Sequence, residues 1–141
     1  MSNQLRPFHL AFPIYDMELT IAWYQNTLGC SLGRQDKKWV DFNFFGHQIS
    51  GHLINKKNTT TLSNLVDGKD IPIRHFGIIL NLEDWEQLSK NLTSKKIKFI
   101  IKPNIRFKGE KGEQATFFIA DPNGNILEFK SFINDQMIFD N

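Results

Sequence analysis

Ala115-Thr116-Phe117-Phe118-Ile119-Ala120-Asp121-Pro122-Asn123-Gly124-Asn125-Ile126-Leu127-Glu128 reads as a strand, a tight turn and a second strand. Aspartate, proline, asparagine and glycine each favour a turn for a different backbone reason, and here they stand in a row. Strand side chains alternate between two faces, so Glu128 points away from the face that takes Leu127 and Phe129. A carboxylate is thus placed on one side of a sheet whose other side is apolar.

Reading outward, Asn104 to Glu113 is a long loop rich in glycine and charge, and Ile97 to Ile101 is a short strand. Leu82 to Ser94 carries Trp85, Leu88 and Leu92 at helical spacing and starts at Asn81. Arg74 to Leu80 is the strand before it. The order is βαβββ, and it is written a second time upstream. Pro7 to Ile14 is a strand, Asp16 caps a helix over Met17 to Leu28, and Gly29 stops it. Cys30 to Arg34, Lys38 to Phe45 and His47 to Ile54 supply three more strands, with Gly46 as the turn between the last two. Phe8-His9-Leu10 aligns with Arg74-His75-Phe76 at a spacing of 66, and Gly46 aligns with Gly124 at a spacing of 78. The longer loop of the second copy takes up most of the difference. A duplicated unit with matching histidines is more informative than either copy alone. The fold class is α+β: one domain, 1–141, with module one at 7–54, a polar linker at 55–72, module two at 73–132 and a tail at 133–141.

Bulk properties narrow the function. The 17 basic and 15 acidic residues leave a net charge of +2, too balanced for a nucleic-acid or anionic-membrane surface. Thirteen phenylalanines supply much of the core. The single cysteine, Cys30, excludes an internal disulfide or a multi-cysteine zinc site, and its apolar setting suits an inert buried thiol. Neither a signal peptide nor a membrane span is legible, so a soluble cytoplasmic protein is expected.

The alternation sorts the strands into two faces. Phe8, Leu10, Phe12, Val40, Phe42, Phe44, Ile49, Leu53, Phe76, Ile78, Leu80, Leu127 and Phe129 want burial beneath the two helices. His9, Asp41, Asn43, Gln48, Ser50, His52, His75, Glu128 and Lys130 share the other face. Simple wetting is one reading of that face and accounts well for Asp41, Asn43 and Lys130. A metal centre is the other: two imidazoles and a carboxylate bind an ion when they converge.

The paired modules, the strand–turn–strand ending in Glu128, Phe8-His9-Leu10-Ala11, Ala22-Trp23-Tyr24 with Leu28-Gly29, and Arg74-His75-Phe76-Gly77 together resemble the vicinal oxygen chelate superfamily. It includes glyoxalase I, extradiol dioxygenases, and bleomycin- and fosfomycin-resistance proteins. The resemblance covers about Pro7 to Phe132. It implies two modules forming an incomplete barrel around one divalent metal ion, with Fe(II) favoured and Zn, Ni, Co or Mn as alternatives. Carried over by position, His9, His75 and Glu128 are the ligands. The family's fourth-strand glutamate is absent; Ser50 and His52 stand on that strand, making His52 a fourth ligand or a proton carrier. Tyr24 is a second candidate for moving protons. Arg106, Phe107 and Lys111 in the long loop are candidates for holding the substrate, with the Arg106–Phe107 pair foremost. The resemblance implies a small oxygenated substrate, a homodimer, and dioxygenase-like oxidoreductase chemistry. A glyoxalase-like lyase or isomerase, and a metal-free antibiotic-sequestering protein, are the alternatives.

Overall fold

The computed structural model describes residues 4–55 and 63–139. The chain divides into two compact units, Met1–Thr59 and Thr60–Asn141. Among the described residues there are two α-helices, ten strands and one short 3₁₀ helix.

In the first unit, β1 (His9–Ile14) leads through α1 (Met17–Leu28) to β2 (Ser31–Asp36), β3 (Trp39–Phe44) and β4 (His47–Leu53). The sheet order is β1-β4-β3-β2, with β1 parallel to β4 and the remaining pairs antiparallel. The Asp16 side chain accepts the Leu19 N–H at 2.9 Å and so caps α1. Gly29 ends the helix in the left-handed region at φ 73°, where a β-carbon would be strained. Thr20, Tyr24 and Leu28, four residues apart, form the buried stripe of α1. Tyr24 stacks on Phe42 at 4.7 Å between ring centres and lies 5.6 Å from Phe12. Phe12, Val40, Phe42, Phe44 and Ile49 are all buried, as their shared parity predicts.

The second unit repeats this plan. Strand β7 (Phe76–Ile79) leads through α2 (Leu82–Ser94) to β8 (Phe99–Arg106), β9 (Gln114–Ala120) and β10 (Ile126–Phe132). The sheet order is β7-β10-β9-β8, with β7 parallel to β10. Asn81 caps α2 by accepting the Asp84 N–H at 2.8 Å. Trp85 donates its indole N–H to the Phe129 carbonyl at 2.9 Å, pinning the helix to β10. Phe117 and Phe129 stack beneath it at 5.2 Å. Each four-stranded sheet is open, with one helix on its apolar face.

Two expectations change. The stretch read as a linker holds a hairpin, β5 (Ser63–Val66) and β6 (Lys69–Pro72), turned by Asp67 and Gly68 at φ 48° and 74°. Both turn residues take positive φ, the geometry that two-residue hairpins favour. Residues 56–62 of that stretch lie outside the described residues. The hairpin buries Ile71 against Ile101, Phe118 and Ile126. The loop read from Asn104 begins later, because β8 runs on through Pro103 to Arg106. It is an edge strand, where a proline costs no ladder bond on its open side.

The turn between β9 and β10 shows why its residues are needed. Asp121 Oδ1 accepts the N–H groups of Asn123 and Asn125 at 2.8 and 2.9 Å, and Oδ2 accepts the Asn125 amide at 2.8 Å. Gly124 adopts φ 85°. Asp121→Ala leaves those part-buried donors without their acceptor. The expected loss is about 1–3 kcal/mol of unfolding free energy, read from the midpoint of a urea titration.

Candidate functional site

Glu128 sits in the middle of β10, directly opposite Gly77 of β7 and Phe118 of β9. The approach of β7 is close: a β-carbon at residue 77 would stand 1.5 Å from the Glu128 carbonyl oxygen. Only glycine allows that pairing, and it brings His75, two residues earlier, to the carboxylate. The gap from His75 Nε2 to Glu128 Oε2 is 3.3 Å. The other carboxylate oxygen is held by the protein. Thr116, fully buried, donates to Oε1 at 2.9 Å, and the Lys130 ammonium is 3.6 Å from the same oxygen. Glu128 is therefore oriented by one oxygen and presents the other.

His75 is oriented too. Its Nδ1 lies 2.8 Å from the Pro72 carbonyl oxygen. A carbonyl only accepts, so Nδ1 carries the proton. In the neutral ring Nε2 then holds a lone pair, and it faces a carboxylate that also only accepts. Two acceptors at this separation need a proton, on either group, or a metal ion between them. The pair lines a shallow hollow of about 190 Å³ along β7, closed by Phe76, Gly77, Ile78, Ile79 and Lys130. That is room for an ion and several waters, each occupying about 30 Å³ in the liquid.

In the first unit His9 begins β1 opposite Gln48. Its exposed ring is held by Nδ1, 2.8 Å from Gln48 Oε1. The two registers are equivalent: the residue two beyond His9 is Ala11, opposite Ser50, and the residue two beyond His75 is Gly77, opposite Glu128. Ser50 thus occupies the place that Glu128 holds in the second unit. It donates to Asp41 Oδ1 at 2.5 Å across the β3–β4 pair. Asp41 was expected to be wetted; it is 5% exposed, buried under these contacts. Among the described residues no three His, Cys, Asp or Glu side chains are gathered as a metal-holding group.

The other candidates fall differently. His52 is exposed on the same face as His9, but it pairs with Pro13, four residues along the parallel register. Four residues span ~13 Å of strand, and side chains stand nearly perpendicular to a sheet, so His9 and His52 do not close on one ion. Tyr24 is fully buried among Phe12, Phe42 and Trp23 on the helix side of the first sheet, the face opposite His9. Its ring is a core element, and the structure does not bring it to the polar face. Arg106 ends β8 and pairs with Asp67 of the hairpin turn at 3.5 Å, its guanidinium 5.1 Å from the centre of the Phe107 ring. Phe107 is exposed at a positive φ of 55°, and Lys111 is exposed in the loop beyond. Thr116 and the Glu128 contact of Lys130 were missed. Strand parity puts both on the glutamate face, but not in contact with it. Cys30 is buried, and desolvation pushes its thiol up to about 12, so it stays protonated and inert.

A profile of the glyoxalase/bleomycin resistance protein/dioxygenase superfamily matches residues 6–129. The chain belongs to that superfamily. A glyoxalase/bleomycin resistance protein/dioxygenase from Alicyclobacillus acidocaldarius is 32% identical, with 99% of this chain and all of that one covered, at a TM-score of 0.82. The fosfomycin resistance protein FosX from Listeria monocytogenes shares the fold at 15% identity and a TM-score of 0.65, over 97% of this chain and 98% of its own. So does a lactoylglutathione lyase from Agrobacterium tumefaciens, at 12% identity and 0.62, over 92% and 94%. No curated protein matches the chain. No helix among the described residues is long and apolar enough to cross a membrane.

Two substitutions separate framework from site. Gly77→Ala forces β7 off β10 at Glu128; the expected cost is about 3 kcal/mol or more, seen as a lowered Tm by differential scanning calorimetry. Tyr24→Phe keeps the stacked ring and is expected to leave ligand binding unchanged, while Tyr24→Ala costs about 3–5 kcal/mol in the same assay.

Proposed function

We propose that this protein is a metal-dependent enzyme that binds a small oxygenated substrate through neighbouring oxygens, with His9, His75 and Glu128 as the ligands of one divalent ion. One observation carries the reading: His75 Nε2 faces the Glu128 carboxylate at 3.3 Å while its Nδ1 is already held 2.8 Å from the Pro72 carbonyl. Metal-binding histidines characteristically donate their second N–H to a carbonyl or carboxylate, which aims the free nitrogen at the ion. His9 follows the same rule through Gln48.

A set of two imidazoles and one carboxylate with open positions favours Fe(II), with Zn, Ni, Co or Mn as alternatives. The ion supplies Lewis-acid stabilisation of an anionic substrate oxygen and, as Fe(II), a place for O₂. Ser50 stands where a further carboxylate would fill one of those positions, which supports dioxygenase-like chemistry over the glyoxalase-like alternative. His52, exposed two residues beyond Ser50 on the same face, is assigned to proton transfer rather than ligation. Lys111 and Arg106 serve the anionic end of the substrate, Arg106 by exchanging Asp67 for it, with Phe107 beside it. The assembly proposed is a homodimer, since each sheet ends on an edge strand, β1 or β7, that another strand can cover. A reducing cytoplasmic setting suits the free Cys30.

Elemental analysis of the purified protein tests the ligands. About one divalent ion per chain is expected for the wild type, and a loss of most of it in His9→Ala, His75→Ala and the near-isosteric Glu128→Gln. Equal metal content in all four proteins sinks the site. Oxygen consumption by the Fe(II)-loaded protein with a panel of catechols tests the reaction, and silence across the panel transfers the assignment to lyase or isomerase chemistry.

A further inference from the structure

The first unit holds a buried carboxylate that no ligand set uses. Asp41 is 5% exposed on β3, and three groups converge on it. Ser50 donates to Oδ1 at 2.5 Å, the Gln48 amide nitrogen donates to Oδ2 at 3.3 Å, and the exposed Arg34 guanidinium stands 3.9 Å from Oδ2. The same Gln48 side chain reaches His9 with its other end, Oε1 to Nδ1, at 2.8 Å. Gly33 makes the space for this arrangement, since a β-carbon there would stand 3.1 Å from that of Asp41.

The chemistry of these groups has one consistent solution. A carboxylate accepts and does not donate, so the end of the Gln48 amide that faces Asp41 must be the NH₂. The end facing His9 is then the carbonyl, which accepts and does not donate. His9 must therefore carry its proton on Nδ1, which leaves the Nε2 lone pair outward. The geometry points to Asp41 and Gln48 as positioning residues that, acting in series, lock His9 in its Nδ1–H tautomer with Nε2 free to bind a cation. Asp41 never touches the ion or the substrate. Its role is to prevent the amide from turning over, because a reversed Gln48 would offer N–H to Nδ1 and move the imidazole proton to Nε2. The second unit reaches the same tautomer by a different means, the Pro72 carbonyl on His75. His47 supplies a contrast: its Nδ1 accepts the Phe8 N–H at 2.9 Å, so its proton lies on Nε2.

The value of this lock for metal binding rests on the reading of His9 as a ligand, but the tautomer can be measured without metal. Two-bond ¹H–¹⁵N correlation spectra of the metal-free full-length protein, at about pH 8.5 and so above the ordinary histidine range, report which nitrogen carries the proton. His9→Ala identifies the resonance, and His47 serves as the internal reference for the opposite tautomer. In the wild type His9 is expected as Nδ1–H. In Asp41→Asn the amides can pair in either sense, and in Gln48→Leu the acceptor is gone; both are expected to raise the Nε2–H population of His9 several-fold. Ser50→Ala, which removes a donor without freeing the amide, leaves it unchanged. A wild-type His9 protonated on Nε2, or a tautomer indifferent to both Asp41→Asn and Gln48→Leu, overturns the proposal. Titration with cobalt(II) alone, followed by its visible absorption, separates this from the ligand assignment. Loss of an outer-shell partner of this kind typically weakens metal binding about 10- to 100-fold, the drop expected for Asp41→Asn. If the tautomer shifts but His9→Ala binds cobalt as the wild type does, the lock stands and His9 is no ligand. If His9→Ala loses cobalt while the tautomer ignores Asp41 and Gln48, the ligand stands and the lock falls.

Discussion

The parallel pairing of β7 with β10 at Gly77 and Glu128 is the constraint on which the second unit's chemistry depends. Residue 77 has no room for a β-carbon, because the Glu128 carbonyl lies where that atom would be. The approach fixes the register, and the register fixes which residue of the incoming chain meets the carboxylate. A slip of one residue would turn every side chain of β7 to the opposite face. The histidine then has its own constraint, a backbone carbonyl at Nδ1 that dictates its proton position. From two backbone facts there follows an imidazole whose Nε2 is aimed at a carboxylate oxygen 3.3 Å away.

The module plan was largely legible because period-2 alternation survives tertiary packing. Phe12, Phe42 and Phe129 fell on the helix side of their sheets, and His9, His75 and Glu128 fell on the other, as parity requires, whereas Phe8, read onto the buried face, precedes β1 and is 63% exposed. The misses have local causes. The β5–β6 hairpin carries one buried apolar residue, Ile71, too few for a periodic signal, although Asp67-Gly68 is a strong turn pair. Pro103 reads as a strand terminator, but an edge position neutralises it. Tyr24 was drawn toward the site by its hydroxyl, whereas its spacing of four from Thr20 and from Leu28 marks the buried stripe of a helix.

Asp41 was the harder case. Parity placed it correctly on the polar face, and that face can be wet. Whether a given residue there is exposed depends on the lengths and pairings of its neighbours, Ser50, Gln48 and Gly33, which lie on two other strands. No sequence pattern of β3 alone contains that information. The same holds for Thr116, whose contact with Glu128 is a cross-strand diagonal rather than a direct partner.

The two units also show why a glutamate at 50 is incompatible with Asp41. In the second unit the glutamate at 128 faces Phe118 across the β9–β10 pair, an apolar neighbour that competes for nothing. In the first unit the equivalent pair is Ser50 and Asp41. A glutamate at 50 would stand directly opposite a buried aspartate, and like charges in that position destabilise a sheet. It would also replace a hydroxyl donor by a second acceptor, leaving Asp41 with one fewer hydrogen bond in a place where a buried charge needs all of them. The first unit therefore holds its carboxylate on the Nδ1 side of its histidine, reached through Gln48, while the second holds its carboxylate on the Nε2 side, 3.3 Å from His75. One plan, written twice, thus carries its buried carboxylate on β3 in one half and on β10 in the other.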